Sequence, residues 1–253
     1  MRSNVSWSDE EDEEGVWTMS VSHADWAWVK RRGEFGFCLL FAKGVSEEDM
    51  LAAYGCYPDT VRVLSWEDED FVDLISDHYG DPVVRVGRIG EWAFGFEEIS
   101  FEGSRDEVLR AFPAGTETIS LFNTVKAFGW FRHAVDGVTV AAFELLGPSC
   151  REGSDPDRHL ELMRQVGLGP DEDPDPEQIG LTAAALDMMT TGWGVYVSEE
   201  MISGPLRTAR IHPRPADPVP QTQPPEDFDA LLESGDIVPL GVESLSFGEE
   251  WPW

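Results

Sequence analysis

A run of apolar residues, FGFCLLFAKG at 35–44, stands out in the pattern along the chain. A continuous apolar run of this length is typical of a strand that is buried on both faces of a sheet. Farther along, VVRVGRIG and EWAFGFEEI predict two short strands that pair around a turn near Gly90. Trp92, Phe94 and Phe96 alternate along the second of these strands, so we expect the three rings on one face.

The stretch FGWFRHAVDGVTVAAFELL, at 128–146, is the clearest hairpin signal. Asp136 and Gly137 are the favoured pair for a two-residue type I′ turn, because both positions need positive φ. A turn there places His133 opposite Val140. In this register both faces are apolar, so we expect a central hairpin that is covered on both sides. One face carries Phe128, Trp130, Ala141, Phe143 and Leu145, and the other carries Phe131, His133, Val135, Val138 and Val140.

Capping signals predict several helices. Ser46 and Asp49 form a capping box ahead of a helix that should stop at Gly55. Other predicted helices lie at 26–33, at 67–79, and after the caps Ser104, Asp155, Asp175 and Ser198. We therefore expect an α+β fold, with a mainly antiparallel sheet flanked by helices, as a single domain over residues 22–211. A flexible acidic arm over 1–21 and a proline-rich tail over 212–253 are expected to flank it.

Charge gives the N-terminal arm two interpretations. Six consecutive acids lie between two tryptophans, namely Asp9, Glu10, Glu11, Asp12, Glu13 and Glu14. The formal net charge is −31, and removing these six would still leave −25, so acidity belongs to the whole surface. A like-charge block is usually a solvated arm, and the alternative is an acidic surface that occupies a basic nuclease or DNA-binding surface. Such a field repels nucleic acid and anionic membranes, so we expect direct binding to neither.

The three cysteines point to a reducing compartment. Cys38, Cys56 and Cys150 are widely spaced and include no CxxC pair, which disfavours a disulfide framework and a zinc ribbon. Cys38 is predicted to be an inert core thiol. No apolar run approaches the roughly 20 residues of a membrane span, so we expect a cytoplasmic protein.

Candidate chemistry is sparse. Serine nucleophile elbows, Walker loops, the dinucleotide-binding glycine fingerprint and HExxH are absent as strings, and we expect no cofactor and no metal. Asp155 and His159 are spaced as metal ligands or an acid/base pair would be on a helix, although an N-cap at Asp155 is the better explanation and two residues are too few ligands for a metal. His133 is either a hydrogen-bonded core histidine or a general base whose partner the sequence does not identify. Arg132 and Glu144 indicate either a polar pocket or one structural ion pair.

The tail carries apolar anchors in an acidic, proline-tethered segment: Phe228, Leu231, Leu232, Trp251 and Trp253. Short motifs that dock into a groove of a partner protein are built in this way. The alternative is that the tail folds back and covers an apolar patch of its own domain.

Four blocks in order carry a resemblance: FCLLFAKGVSEEDMLAAYG, ISLFNTVKAFGWFRHAVDGVTVAAFELL, GSDPDRHLELMRQVGL and GVYVSEEMISGPL. Together they resemble an uncharacterised actinobacterial domain of unknown function over 35–206. The resemblance implies a shared fold and an actinobacterial source, and it brings no activity and no site residue.

These features favour a non-enzymatic cytoplasmic protein that binds a partner protein as an adaptor. The first alternative is an acidic inhibitor of a basic partner, such as an immunity protein or a DNA mimic in bacterial conflict. The second alternative is an enzyme with a pocket near His133.

Overall fold

The computed structural model describes Trp26 and residues 28–29, 36–71, 81–124, 128–170 and 180–212. The chain divides into two units, Met1–Pro213 and Arg214–Trp253, and all described residues belong to the first. None of the described helices is long and apolar enough to cross a membrane.

A nine-stranded sheet dominates the described part of the chain. The strands are β1 Gly36–Lys43, β2 Arg62–Leu64, β3 Val83–Ile89, β4 Trp92–Glu98, β5 Glu117–Thr124, β6 Gly129–Val135, β7 Val138–Glu144, β8 Gly147–Glu152 and β9 Leu206–Arg210. Their order across the sheet is β2-β9-β3-β4-β1-β5-β6-β7-β8, and neighbouring strands pair antiparallel.

Helices cover the two faces of this sheet. They are α1 Glu47–Tyr54, α2 Asp106–Ala111, α3 Leu160–Gln165, α4 Leu181–Trp193 and α5 Glu199–Ser203, with 3-10 turns at Pro58–Thr60 and Glu102–Ser104. A large antiparallel sheet with a few helices is an α+β fold, which confirms the predicted class.

Alternation along the strands divides the core into two layers. Phe41, Phe94 and Phe131 lie on what we call the first face, where they pack with α3, α4 and α5. Leu40 and Ala93 lie on the second face, where they pack with α1 and α2. Strand β1 is central and is buried on both faces from its first residue to its seventh, as its continuous apolar run predicted.

Other local predictions are also confirmed. Strands β3 and β4 pair from Ile89 opposite Trp92, around the predicted turn. In α1 the Ser46 hydroxyl accepts a hydrogen bond from the Asp49 amide at 3.1 Å, and the Asp49 carboxylate accepts one from the Ser46 amide at 2.9 Å. This helix ends at Gly55, which has a φ of 70°.

The predicted hairpin turn is confirmed, because Asp136 and Gly137 have positive φ values of 53° and 69°. The hairpin lies toward one edge of the sheet and not at its centre, since β7 pairs with the edge strand β8. Val135 and Val138, which flank the turn where the strands end, are 38% and 60% exposed.

The predicted hairpin register is wrong beyond a β-bulge. The register shifts after His133, which lies opposite Ala141 and not opposite Val140. One extra residue reverses the face of every position that follows it, so Trp130 lies opposite Glu144 and not opposite Phe143, where a register without the bulge would place it. Trp130 is therefore on the second face, apart from the aromatic core of the first.

The predicted cap at Ser104 is wrong. Helix α2 begins at Asp106, and the Ser104 hydroxyl instead donates to the Phe101 carbonyl oxygen at 2.8 Å. The amides of Glu102 and Gly103 donate to the buried carboxylate of Glu97, which holds this segment as a separate 3-10 turn.

The predicted cap at Asp155 is also wrong. The Asp155 amide donates to the Val140 carbonyl oxygen at 2.8 Å, so this residue is held against β7. Helix α3 begins at Leu160 with His159 as its N-cap residue. Ser198 caps α5 as predicted, by accepting from the Met201 amide at 3.2 Å. The predicted cap Asp175 and most of the helices predicted at 26–33 and 67–79 lie outside the described residues.

Candidate functional site

The binding residues predicted in the tail and the acidic run at 9–14 lie outside the described residues, so their roles stay predictions. His133 is described, and the structure places it in a polar cluster at the end of the first face. We call Glu117, His133, His159 and Trp193 the histidine cluster.

Three hydrogen bonds join the histidine cluster. His133 Nδ1 lies 3.0 Å from His159 Nε2, and His133 Nε2 lies 3.1 Å from Glu117 Oε1. The indole Nε1 of Trp193 donates to the same carboxylate oxygen at 2.9 Å. Strands β5 and β6, the start of α3 and the end of α4 therefore meet at one point.

The hydrogen bonds assign the proton positions. A carboxylate only accepts, so His133 Nε2 carries a proton and His133 Nδ1 accepts from His159 Nε2. Burial lowers the pKa of His133, against the opposing effect of Glu117. Burial and the neighbouring His133 lower the pKa of His159 to about 4, so both rings are neutral near pH 7.

This geometry supplies the partners of His133 that the sequence did not identify. A carboxylate that orients one imidazole against a second imidazole is a proton relay in form. However, the His133 side chain is only 3% exposed, and the rings of Trp193 and Phe131 lie beside His159. The observed contacts serve to fasten two helices to the sheet.

Two polar pairs predicted near this site are arranged differently. Asp155 Oδ2 lies 3.5 Å from Arg158 Nη1 in the turn before α3. Asp155 is therefore outside the helix and shares no helix face with His159. Arg132 pairs with Asp106 at 2.6 Å, and not with Glu144. No group of three or more potential metal ligands occurs among the described residues.

Glu97 is a fully buried carboxylate on the second face. Its Oε1 accepts from the Tyr54 hydroxyl at 3.1 Å and from the Gly103 amide at 2.8 Å. Its Oε2 accepts from the Ser100 hydroxyl and, at 2.9 Å, from the Glu102 amide. We call these five residues the Glu97 cluster.

Burial dominates the electrostatics of the Glu97 cluster. It raises the pKa of Glu97, although the four hydrogen bonds oppose the rise. Burial and the charge of Glu97 raise the pKa of Tyr54 and, well above the ordinary value, that of Cys38. Cys38 lies directly opposite Glu97 and is fully buried, which agrees with the predicted inert core thiol.

Arg85 is a second buried charge, 2% exposed, on the first face. Its Nη2 donates to the carbonyl oxygens of Leu64 at 3.0 Å and Gly204 at 2.7 Å. The guanidinium lies 4.5 Å from the centroid of the Phe71 ring, and burial lowers its pKa to about 10. Arg85 thus ties the ends of β2 and α5 to β3.

An exposed line of aromatic rings crosses the second face where β5 ends and β6 begins. We call Phe101, Phe122, Phe128 and Trp130 the aromatic row. Successive ring centroids are 5.5, 5.7 and 6.3 Å apart. Phe101 is 48% exposed and Phe128 is 39% exposed, and Phe122 and Trp130 are partly exposed.

A family model described as Family of unknown function (DUF6461) matches residues 19–210. The chain belongs to DUF6461. No curated protein and no solved structure matches it. The DUF6461 match confirms the resemblance to an uncharacterised family, whereas the actinobacterial source stays a prediction. The matched region contains the histidine cluster and the aromatic row, and it ends before the predicted tail anchors.

Sequence reasoning missed the aromatic row of this DUF6461 chain. Phe128 and Trp130 were expected on a covered face together with Phe143, because the bulge after His133 has no signal in the alternation. Phe101 follows β4 and is brought beside Phe122 by the 3-10 turn that Glu97 holds. One sequence feature did point to the row. Phe128 and Trp130 are two positions apart, so their rings project from the strand face opposite Phe131.

Proposed function

We propose that this protein is a non-enzymatic cytoplasmic adaptor that binds a partner protein, and that the aromatic row is one of its binding surfaces. The exposure of the row carries the proposal. Monomeric proteins rarely expose a contiguous apolar patch without a function, and aromatic residues are enriched at the energetic centres of interfaces. The three free cysteines support the cytoplasmic location.

A strained residue beside the row supports the same surface. Ile99 is 66% exposed and has a φ of 58°, a left-handed conformation that is costly for a β-branched residue. It lies two positions before Phe101. An exposed apolar side chain in a strained backbone contributes nothing evident to the fold, and such strain tends to be kept where it serves binding.

The titratable residues buried in the described core have structural contacts instead. Glu97 accepts four hydrogen bonds, Arg85 binds two carbonyl oxygens, and His133 is fixed between Glu117 and His159. These arrangements hold elements together, which leaves the row as the feature best suited to an external contact.

The occupant we propose is a different protein with a basic surface. Two copies of a chain with a net charge of −31 repel each other, which disfavours self-association through the row. The same charge attracts a basic partner and steers it to the surface. The predicted anchors Phe228, Leu231, Leu232, Trp251 and Trp253 remain part of the proposal as a second contact.

Capture from lysate with matched full-length baits tests the row. One bait is the wild type, and the second carries Phe101→Ser and Phe128→Ser. A control bait carries Val63→Ser and Val138→Ser, which remove exposed apolar side chains that are 66% and 60% accessible outside the row. A fourth bait carries Trp251→Ser and Trp253→Ser to test the tail contact separately.

We expect a basic partner that the wild type and the valine control retain and that the row variant loses. Equal capture by the row variant and the wild type would overturn the role of the row. Loss of partner capture by the tail variant alone would mean that the contact is made by the tail. A row that mediates self-association would instead give a wild-type dimer in size-exclusion chromatography that the row variant lacks.

The second candidate function is an acidic inhibitor of a basic protein, and the net charge of −31 favours it. An inhibitor that works mainly by charge would bind more weakly as the salt concentration rises and would tolerate the row variant. Binding that survives high salt would count against this candidate and in favour of the row.

A further inference from the structure

Trp130 and Glu144 lie directly opposite each other on β6 and β7, at one end of the aromatic row. Residues paired in this way have Cβ atoms about 4.5–5.5 Å apart, so the ring and the carboxylate border the same space. Phe128 extends this surface, because its ring stacks on Trp130 at 27° between planes. An aromatic face beside a carboxylate is suited to a cation, through cation–π and ionic attraction together.

The protein contains the same combination elsewhere with its cation in place. Lys43 Nζ lies 5.5 Å from the centroid of the Trp92 ring and 3.2 Å from Glu91 Oε1. There the lysine and the tryptophan are cross-strand neighbours and the carboxylate comes from the adjoining turn residue. The Lys43 site shows that a tryptophan and a glutamate at a strand end of this fold receive one cationic side chain.

The described arginines around the row are already engaged. Arg132 pairs with Asp106 at 2.6 Å, and Arg105 pairs with Glu102 and Glu107 at 3.6 Å each. Within the described part of the chain, Glu144 has no ion pair. The described arginines near the row therefore do not supply a cation to Trp130 and Glu144, and the chain's own Lys126 and a partner are the two sources compared below.

We propose that Trp130, Phe128 and Glu144 form a binding site for an arginine side chain of the partner. This inference rests on the proposed function and specifies the chemistry of the contact. Arginine is favoured over lysine because its flat guanidinium stacks on a ring while its N–H groups remain free to pair with a carboxylate.

The geometry of the row also limits the sequence that binds. Its three centroid steps place Phe101 and Trp130 at most about 18 Å apart. An extended chain advances about 3.3 Å per residue, so an apolar residue over Phe101 would lie no more than about five positions from the arginine. The partner segment therefore combines an arginine with an apolar residue within this spacing.

The test titrates the full-length protein with N-acetyl-arginine amide while the tryptophan indole N–H signals are followed by NMR. A Trp130→Phe variant identifies the signal of Trp130. Titration with N-acetyl-citrulline amide, which has a similar shape and no charge, is the ligand control. The matched protein variants are Glu144→Gln at the site and Glu91→Gln beside Trp92.

We expect the Trp130 signal to shift with the arginine amide at millimolar concentration and not with the citrulline amide. Glu144→Gln should weaken this binding about three- to five-fold, as loss of an exposed ion pair does, and Glu91→Gln should leave it unchanged. An equal response to both ligands, or equal weakening by both variants, would overturn the proposal. Both results would mean non-specific attraction to an acidic surface.

A Lys126→Gln variant tests whether the chain's own Lys126 occupies the site of Trp130 and Glu144. If the arginine amide binds only after this substitution, the site holds the chain's own lysine and the proposal is wrong. If the row substitutions abolish partner capture while the Trp130 signal never responds to arginine, the proposed function stands and this inference falls. The two experiments therefore fail independently.

Discussion

Replacing Glu97 with alanine should be among the most destabilising single changes in the described domain. The substitution removes the one acceptor shared by the Tyr54 and Ser100 hydroxyls and by the amides of Glu102 and Gly103. The two amides belong to a fixed 3-10 turn, so they cannot turn toward another acceptor.

The magnitude follows from these contacts. A buried donor that loses its acceptor costs about 1–3 kcal/mol, and two of the four donors to Glu97, the Tyr54 hydroxyl and the Gly103 amide, are buried. The raised pKa of Glu97 shows that burying its charge is itself unfavourable, and the alanine variant recovers that cost. A net loss of about 3–5 kcal/mol agrees with the removal of one partner from a buried charged network.

Two further variants bracket this value. Glu97→Gln keeps the volume and one acceptor oxygen but directs an amide toward two of the donors, so we expect a loss of about 1–3 kcal/mol. Glu91→Gln is the control, because Glu91 is 64% exposed and pairs with a lysine on the surface, and its loss should stay below about 1 kcal/mol.

Urea denaturation followed by far-UV circular dichroism measures the free energies of unfolding. The slope with urea should be equal in all variants, so the midpoint shift reports stability. A Glu97→Ala variant within about 1 kcal/mol of the wild type would refute the reasoning, since the cluster would then contribute no more than an ordinary surface pair.

Three further predictions concern separate parts of the fold. Gly103→Ala places a methyl group against the Tyr54 hydroxyl and should cost about 1–3 kcal/mol in urea denaturation, whereas Gly147→Ala, with no neighbouring atom within 4 Å, should cost far less. The pKa of His159 is about 4 in the folded chain against 6.5 ordinarily, so the unfolded chain binds its proton first and stability falls by about 1–3 kcal/mol as the pH drops from about 6.5 to 4. A His159→Gln variant should lose less stability over the same pH range, and an equal loss would contradict this origin. Ile99→Gly should raise stability by about 1 kcal/mol by relieving the positive φ and should weaken partner capture, and unchanged stability would show that the residue is not strained.

The local sequence predicted those elements whose formation depends on local contacts. The run at β1, the capping box of α1 and the Asp136-Gly137 turn each carry their signal within a few residues, and each is confirmed. The bulge after His133 depends on how β7 meets β6, so alternation along either strand alone did not indicate it.

The candidate sites were less predictable for the same reason. Glu117, His133 and Trp193 meet because strand order and the end of α4 bring them together, over separations of up to 76 residues. The Glu97 cluster joins α1 to the turn after β4 across 43 residues between Tyr54 and Glu97. A single sequence shows each residue type without its partner, so it could nominate His133 and could not assign its neighbours.

Because Cys38 is buried, the reactivity of its thiol reports how often the fold opens. This thiol lies on the central strand with a raised pKa, while Cys150 is exposed on the edge strand β8. An alkylating reagent should modify Cys150 at once and Cys38 only in molecules whose sheet has come apart. The ratio of the two labels, followed over time by mass spectrometry, would give the rate of spontaneous unfolding under native conditions without a denaturant or an added probe.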